Sequence, residues 1–363
     1  MTTKTIVHFG AGALGRGLVV PLLEESNYDV VLVDVDEKLI AEINREGGYP
    51  LFNTDVENDK QHRFVKVKAA VSPIADKESL QCYLSEANVI TTSVRRENLI
   101  HIGRTLLELL QPGEEKVILC AENIEHAGQF FKEILKGLEK ENNREIIPYL
   151  TIPDTVVDRI CATSWPDNLT AMTENFYEFS VDQRQLSKTN IELIPAIVDL
   201  EGAFARKRLM VNTFADASAF LALAKGKTYL HEAIIDPEIQ QTLYPYFNSF
   251  QSLLVQKYDY RVNELIKWQE VYRKRLSNNG IERELLTVAR NLWAKMTLEE
   301  RFLWPIVELM KLGEDVEDSI SVLVDLIKAS THETGETLQP KLEKLWKKGE
   351  YGTEIYRLAS KYL

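Results

Sequence analysis

The sequence predicts an α/β protein, a Rossmann-type doubly wound sheet with an extended sheet region, followed by an all-helical domain. Three observations carry this expectation. The chain opens on a strand, glycine turn, helix and strand unit, TIVHFGAGALGRGLVVPLLEESNYDVVLVDVD. Short apolar runs that read as buried strands recur through the first half. From about Ser187 the apolar residues recur at helical spacing instead. The expected domains are therefore a dinucleotide-binding one over 1–187 and a helical substrate and catalytic one over 188–363.

Residues 5 to 9 form the first buried strand, and Gly10, Gly12 and Gly15 follow as GxGxxG. The first glycine permits the tight turn, the second lets a pyrophosphate approach the backbone, and the third lets the helix pack on the sheet. The segment Gly10, Ala11, Gly12, Ala13, Leu14, Gly15 thus reads as a phosphate cradle whose helix-start amides need no side-chain charge. VVLVDVD is the second strand, ending at Asp34, nineteen residues after Gly15. A carboxylate there accepts from both ribose hydroxyls of NAD and repels the extra phosphate of NADP, so NAD is the expected cofactor. Asp36 is the alternative acceptor.

FVKVKAAVSPI, residues 64 to 74, reads as one strand leading into a loop. ANVITTSVR places Thr92 and Ser93 after a buried strand, either in the cofactor's path or as caps of the next helix. KVILCAEN ends a third strand at Asn123. Ligands of such sheets bind beyond the carboxyl ends of the strands, where Thr92, Ser93 and Asn123 fall. Residues 145 to 185 look partly extended, a sheet extension closing one side of the cleft. Asp158 and Arg159 lie there, as functional groups or as a structural ion pair.

The second half begins with KTNIELIPAIVDLEGAFARKRLMVNTFADASAFLALAKG, which predicts two helices, the second from about Gly202 to Lys225. HEAIIDPEIQQTLYPYFNSFQSLLVQKY, RVNELIKWQEVYRKRLSN, IERELLTVARNLWAKM and LEERFLWPIVELMKLG predict more.

At 363 residues and 45% hydrophobic content, the chain can bury roughly three-quarters of its extended surface without a disulfide or structural metal. Its three cysteines are far apart and its six histidines form no HExxH, so no metal site is expected. A net charge of −12 gives no attraction to nucleic acid or anionic membrane. No basic, apolar leader is seen and no apolar run reaches about 18 residues, which points to the cytoplasm.

Six ordered segments, HFGAGALGRG, CAEN, VVDRI, TENFYEFSVD, RKRLMVNT and HEAIIDPEI, resemble the polyol-specific long-chain dehydrogenase, or mannitol dehydrogenase, family, most closely its mannitol-1-phosphate 5-dehydrogenase branch. The resemblance implies a metal-independent enzyme that uses NAD to interconvert a sugar alcohol, often phosphorylated, and its ketose, as a monomer or homodimer. It makes Lys207 the catalytic lysine and Asn212 its downstream amide. Asn123 is the other asparagine near the reacting oxygen, and Asp158 an acid linked to proton movement. A lysine serves as base only when its pKa falls from about 10.4 toward the working pH, and Arg206 and Arg208 are candidates for the electrostatic part. Residues 207 and 212, five apart, lie about 140° around an ideal α-helix, so a kink or the lysine's length must bring them together.

Two departures concern the substrate. Three residues after the asparagine, the family has a histidine; this chain has Ala215. Its neighbour Asp216 points about 100° away and carries negative charge toward any phosphate-bearing substrate. In LLTVARNLWAKM, which matches the family's R-x-P-L-R-K-L, Leu292 stands at the proline and Ala294 at an arginine. Arg290 and Lys295 are retained, to hold an anion or to form the solvated side of a helix. The expected activity is NAD-dependent oxidation of a polyol, with mannitol 1-phosphate and fructose 6-phosphate, a related polyol or a sugar acid as substrates. The alternative is an NAD(H)-binding sensor with little turnover.

Overall fold

Apolar runs become the strands β1 (Lys4–Phe9), β2 (Tyr28–Val33), β3 (Gly48–Asn53), β4 (His62–Lys66), β5 (Ala69–Val71), β6 (Val89–Thr92), β7 (Lys116–Cys120), β8 (Leu150–Thr151), β9 (Thr155–Asp158), β10 (Cys161–Thr163), β11 (Ala171–Thr173), β12 (Glu178–Asp182) and β13 (Ala196–Ile197). They belong to a computed structural model that describes residues 4–55, 62–163, 168–186, 194–333 and 335–363. The largest sheet has the order β5-β2-β1-β6-β7-β8 and is parallel throughout. That is the 3-2-1-4-5-6 order of a dinucleotide fold. Successive residues of one strand serve opposite faces: Ile6, Val30 and Val89 pack into one core, while Val7, Val31 and Ile90 pack into the other. Burial on both faces explains why these strands read as continuous apolar runs.

The extended region resolves into two further sheets. β10-β11-β3-β4 is mixed, with β11 parallel to β3, and β13-β12-β9 pairs β9 antiparallel to β12. The single strand expected over 64–74 is instead two, β4 paired with β3 and β5 paired with β2. The chain crosses between sheets near Val67, whose amide bonds to Gly47 O, and Lys68, whose amide bonds to Val30 O. Alternation shows which residues are buried but not which sheet receives them.

The chain divides into two units, Met1–Leu200 and Glu201–Leu363. The boundary expected at 187/188 falls outside the described residues. The second unit is helical, with long helices Pro237–Tyr258, Val262–Leu276 and Glu317–Thr331. Of the two helices expected over 188–225, the described part of the first is not one, since Ala196–Ile197 pairs with β12. Two other expected helices are shortened. Over 281–296 only Leu285–Val288 and Leu292–Lys295 are helical, with Asn291 between them in the left-handed region at φ 61°. Asp236 divides the 231–258 stretch by capping Pro237–Tyr258 through the amides of Glu238 and Ile239.

Candidate active site

The glycine turn follows β1, and each glycine has its own reason. Gly10 has φ +107°, and a Cβ there would come 2.7 Å from Ser93 O. At Gly15 a Cβ would meet Gly10 O, and His8 Nε2 at 2.6 Å. At Gly12 it would meet nothing within 4 Å. Gly12 therefore faces open space, as a residue that lets a pyrophosphate approach the backbone must, whereas Gly10 and Gly15 are fixed by packing. Ala11 is buried and Ala13 and Leu14 are half-buried.

Asp34 stands just past β2. Its Oδ2 accepts from Ala11 N at 2.6 Å and its Oδ1 from Asp36 N at 3.0 Å. Asp36, the alternative ribose acceptor, caps the helix Glu37–Glu46 with its own carboxylate. Asp34 lines a cleft of about 770 Å³ together with Gly10, Gly12, Ser93, Val35 and Ile74. Val35 and Ile74 are 69% and 78% exposed. Open backbone, a carboxylate and exposed apolar side chains in one cleft fit the phosphates, ribose and base of a dinucleotide.

Two buried side chains brace this cleft, and the sequence reading missed both. His8, fully buried on β1, places Nδ1 2.7 Å from Thr91 Oγ1 and Nε2 3.0 Å from both Gly10 O and Ser93 Oγ. A carbonyl only accepts, so Nε2 carries the proton and Nδ1 accepts from Thr91. Burial pulls the His8 pKa from 6.5 down to about 3, against the Gly10 hydrogen bond, so the ring is neutral. Glu122, also buried, accepts from Thr92 Oγ1 at 2.8 Å and Val94 N at 2.9 Å. Burial pushes its carboxyl up, and these two hydrogen bonds act the other way. The hydroxyls of Thr92 and Ser93 are thus engaged within the sheet and glycine turn, not in helix capping. The overlooked signal was a histidine and a glutamate inside apolar strand patterns, since a buried polar side chain requires partners.

Asn123 is exposed just beyond β7, and Asp158 is buried at the end of β9. Arg159 donates to Glu174 O through Nε and Nη2, at 3.0 and 2.7 Å, and to Gly17 O through Nη1 at 2.9 Å.

In the second unit, the helix Leu200–Lys207 passes into a π-helical turn, Arg208–Thr213, and then into the α-helix Phe214–Ala224. Such a turn closes hydrogen bonds between residues five apart, so side chains at that spacing fall on one face. Lys207 and Asn212 have this spacing. The local widening resolves the 140° misalignment of an ideal α-helix, and Thr213 Oγ1 bonds to Arg208 O at 2.8 Å across the same five residues. Lys207 is buried and Asn212 half-buried, and the Asn212 side chain makes no hydrogen bond to another described residue. The flanking guanidiniums rest on aromatic rings: Arg206 lies 4.0 Å from the Trp268 ring centroid and bonds to Tyr272 and Tyr260 hydroxyls, and Arg208 lies 4.7 Å from that of Trp304. Among the described residues, no group of three or more His, Cys, Asp or Glu side chains is disposed to hold a metal ion.

The model of the mannitol dehydrogenase Rossmann domain matches residues 4–194, and that of the mannitol dehydrogenase C-terminal domain matches 199–350. The chain belongs to the mannitol dehydrogenase family. Curated relatives named mannitol-1-phosphate 5-dehydrogenase include one from Lactococcus lactis, 31% identical over 84% of this chain and 82% of its own length. Another, from Caldanaerobacter subterraneus, is 29% identical over 85% and 81%. Among solved structures, a substrate-free D-sorbitol dehydrogenase superposes with a TM-score of 0.79 at 15% identity, covering 99% of this chain and 92% of that one. The mannitol 2-dehydrogenase of Pseudomonas fluorescens, solved with NAD and D-mannitol, gives 0.70 at 14% identity and covers 99% and 91%. These likenesses establish the fold.

Within this family of oxidoreductases, the departures of the chain have a local structural setting. Ala215 is buried on the helix after the π turn. Asp216 is buried too, held by Lys295 and Arg301. Lys295 is therefore neither an unoccupied anion binder nor part of a solvated face, while Arg290 is exposed. No helix of the described residues is long and apolar enough to cross a membrane.

Proposed function

We propose that the chain is a metal-independent, NAD-dependent polyol dehydrogenase interconverting a sugar alcohol and its ketose, acting in the cytoplasm as a monomer or homodimer. The observation that carries the reading is the π turn that puts Lys207 and Asn212 on one face in a chain of this family. The open backbone at Gly12 and the carboxylate of Asp34 support the cofactor assignment. The relatives' names put mannitol 1-phosphate and fructose 6-phosphate first among the pairs to test.

NAD, when bound, supplies the hydride acceptor. Lys207, as the free amine, takes the hydroxyl proton as the carbon–hydrogen bond breaks, and as the ammonium it returns that proton in ketose reduction. Asn212 and Asn123 donate side-chain N–H groups to the substrate oxygen as its charge grows, with no proton of their own to lose. Asp158 is the acid linked to proton movement. The NAD assignment includes discrimination against NADP by the charge of Asp34.

The test follows NADH absorbance of the purified protein with ketoses, ketose phosphates and keto acids. Consumption with a ketose or its phosphate is the expected result. NADH binding without turnover across the panel refutes the enzyme reading and favours a sensor.

A further inference from the structure

Arg95, three residues past Thr92 at the end of β6, has φ 70° and ψ 155°, a backbone region that glycine alone enters without cost. The other described non-glycine residues with positive φ are asparagines, an aspartate and histidines, types enriched at positive φ. This strain sits beside the glycine turn. Ser93 N donates to Phe9 O at 2.8 Å and Ser93 Oγ to Gly10 O at 3.2 Å, and a Cβ on Gly10 would come 3.0 Å from Val94 Cγ1. Arg95 lines the same cleft as Gly10, Gly12 and Asp34. Its side chain is exposed and makes no hydrogen bond, ion pair or ring contact with another described residue. Neighbouring cations are committed elsewhere. Arg16 is buried and donates to Ala11 O and Leu169 O, Arg96 lies 4.6 Å from the Phe130 ring centroid, and Lys77, which also lines the cleft, is paired with Glu108. Arg104, a further lining residue, starts the second turn of the helix Leu99–Leu109, about 8 Å along its axis.

We infer that Arg95 is a further cofactor-binding residue, held on strained backbone beside the glycine turn so that its guanidinium takes the pyrophosphate of the dinucleotide. The inference rests on the NAD-binding part of the reading above. A dinucleotide pyrophosphate carries two negative charges. The turn meets them with N–H dipoles alone, since Gly10 to Gly15 include no cation. A guanidinium presents paired N–H donors that match two phosphate oxygens, and it keeps its charge at every working pH. The chain's net charge of −12 and the carboxylate of Asp34 in the same cleft both oppose an anionic ligand, so a local cation has that repulsion to offset. Glycine at position 95 would relieve the backbone and remove the cation together, whereas alanine would remove the cation alone. The two consequences can therefore be separated by mutation.

The test is calorimetry of the full chain with NAD and with ADP-ribose, which carries the pyrophosphate without the nicotinamide. Wild type, Arg95→Gly and Arg95→Ala are compared, beside urea unfolding of each without ligand. Both variants are expected to bind NAD and ADP-ribose about tenfold more weakly, the lower end for hydrogen bonds to a charged group. That difference is expected to shrink as salt rises from about 0.05 to about 0.5 M. Arg95→Gly is expected to unfold at a higher urea midpoint than Arg95→Ala, the reverse of the ordinary order of these two residues. Affinities within about twofold of wild type in both variants overturn the inference. So does a loss for NAD without one for ADP-ribose, which would put Arg95 at the nicotinamide end. A loss that salt leaves unchanged also overturns it, as the mark of a distorted turn and not of a missing charge. An alanine variant at least as stable as the glycine variant overturns the claim that the backbone at 95 is strained. Where Arg95→Ala fails to fold, Arg95→Gly decides the affinities, because glycine adopts this backbone freely. A wild type that binds neither ligand removes the dinucleotide reading itself, a different failure from equal binding by wild type and variants.

Discussion

His8 offers a quantitative test of how the glycine turn is held. Its ring is fully buried and its pKa lies at about 3 in the folded chain, against 6.5 ordinarily. Between these values the unfolded chain binds a proton that the folded one refuses. Stability due to this site is therefore fully present above pH 6.5 and is lost as pH falls toward 3. The slope approaches about 1.4 kcal/mol per pH unit once the unfolded imidazole is mostly protonated, so lowering the pH from about 7.5 to about 4.5 removes about 3 kcal/mol. Carboxylates contribute their own losses in acid, so the informative quantity is the difference from His8→Gln, whose amide can still donate to Gly10 O but does not titrate. Urea unfolding of both proteins from pH 7.5 to 4.5 should show the wild type losing about 3 kcal/mol more than the variant. The absolute stability of the variant is immaterial, because only the divergence with pH reports the titration. Parallel curves would mean that the imidazole is protonated in the folded chain, and the bracing of Gly10 by a neutral ring would be wrong.

The other expectations concern the cradle and the chemistry. Gly12→Ala should fold with nearly unchanged urea stability and lose dinucleotide affinity, whereas Gly15→Ala should lose about 2 kcal/mol or more of stability from overpacking; equal stabilities would remove the distinction between the two glycines. Asp34→Ala should weaken NAD binding about ten- to hundredfold in calorimetry, the worth of hydrogen bonds to a charged group, and unchanged affinity would shift the ribose contact elsewhere. Lys207→Ala should lower kcat by about two to four orders of magnitude while NAD affinity stays within about threefold. A variant that retains its turnover number would exclude the lysine as the base.

The first half was legible because its physics is local. β1, β2, β6 and β7 are buried on both faces, so each declares itself as an apolar run, and the glycine spacing marks the turn between the first two elements. The strand expected over 64–74 failed for a complementary reason. β4 and β5 lie in one continuous run of sequence but pair with β3 and β2, a choice made by distant partners such as Gly47 and Val30. The helix expected over 281–296 failed because periodicity records which side chains are buried and not whether the backbone stays regular. The left-handed Asn291 interrupts that stretch without disturbing its apolar pattern. His8 and Glu122 escaped notice because their roles depend on Thr91, Ser93, Thr92 and Val94, contributed by a strand more than eighty residues from the one and about thirty from the other.

The π turn shows most clearly what composition cannot express. At α-helical pitch, Lys207 would align with Arg208's far neighbours Val211 and Met210 and not with Asn212, so the family's two polar groups would face apart. Widening one turn moves every residue after Thr213 by about one position around the helix axis relative to Lys207. The same shift that brings Asn212 under Lys207 therefore also sets the direction of Asp216, four residues further on. The alignment of Lys207 with Asn212 and the placement of the carboxylate that holds Lys295 and Arg301 are consequently one structural event. A change that restored α-helical pitch through 208–213 would alter both together, so loss of turnover and loss of the stability that the Asp216 ion pairs contribute should appear jointly in kinetic and urea-unfolding assays of such a variant, while Asp216→Asn should show the second alone.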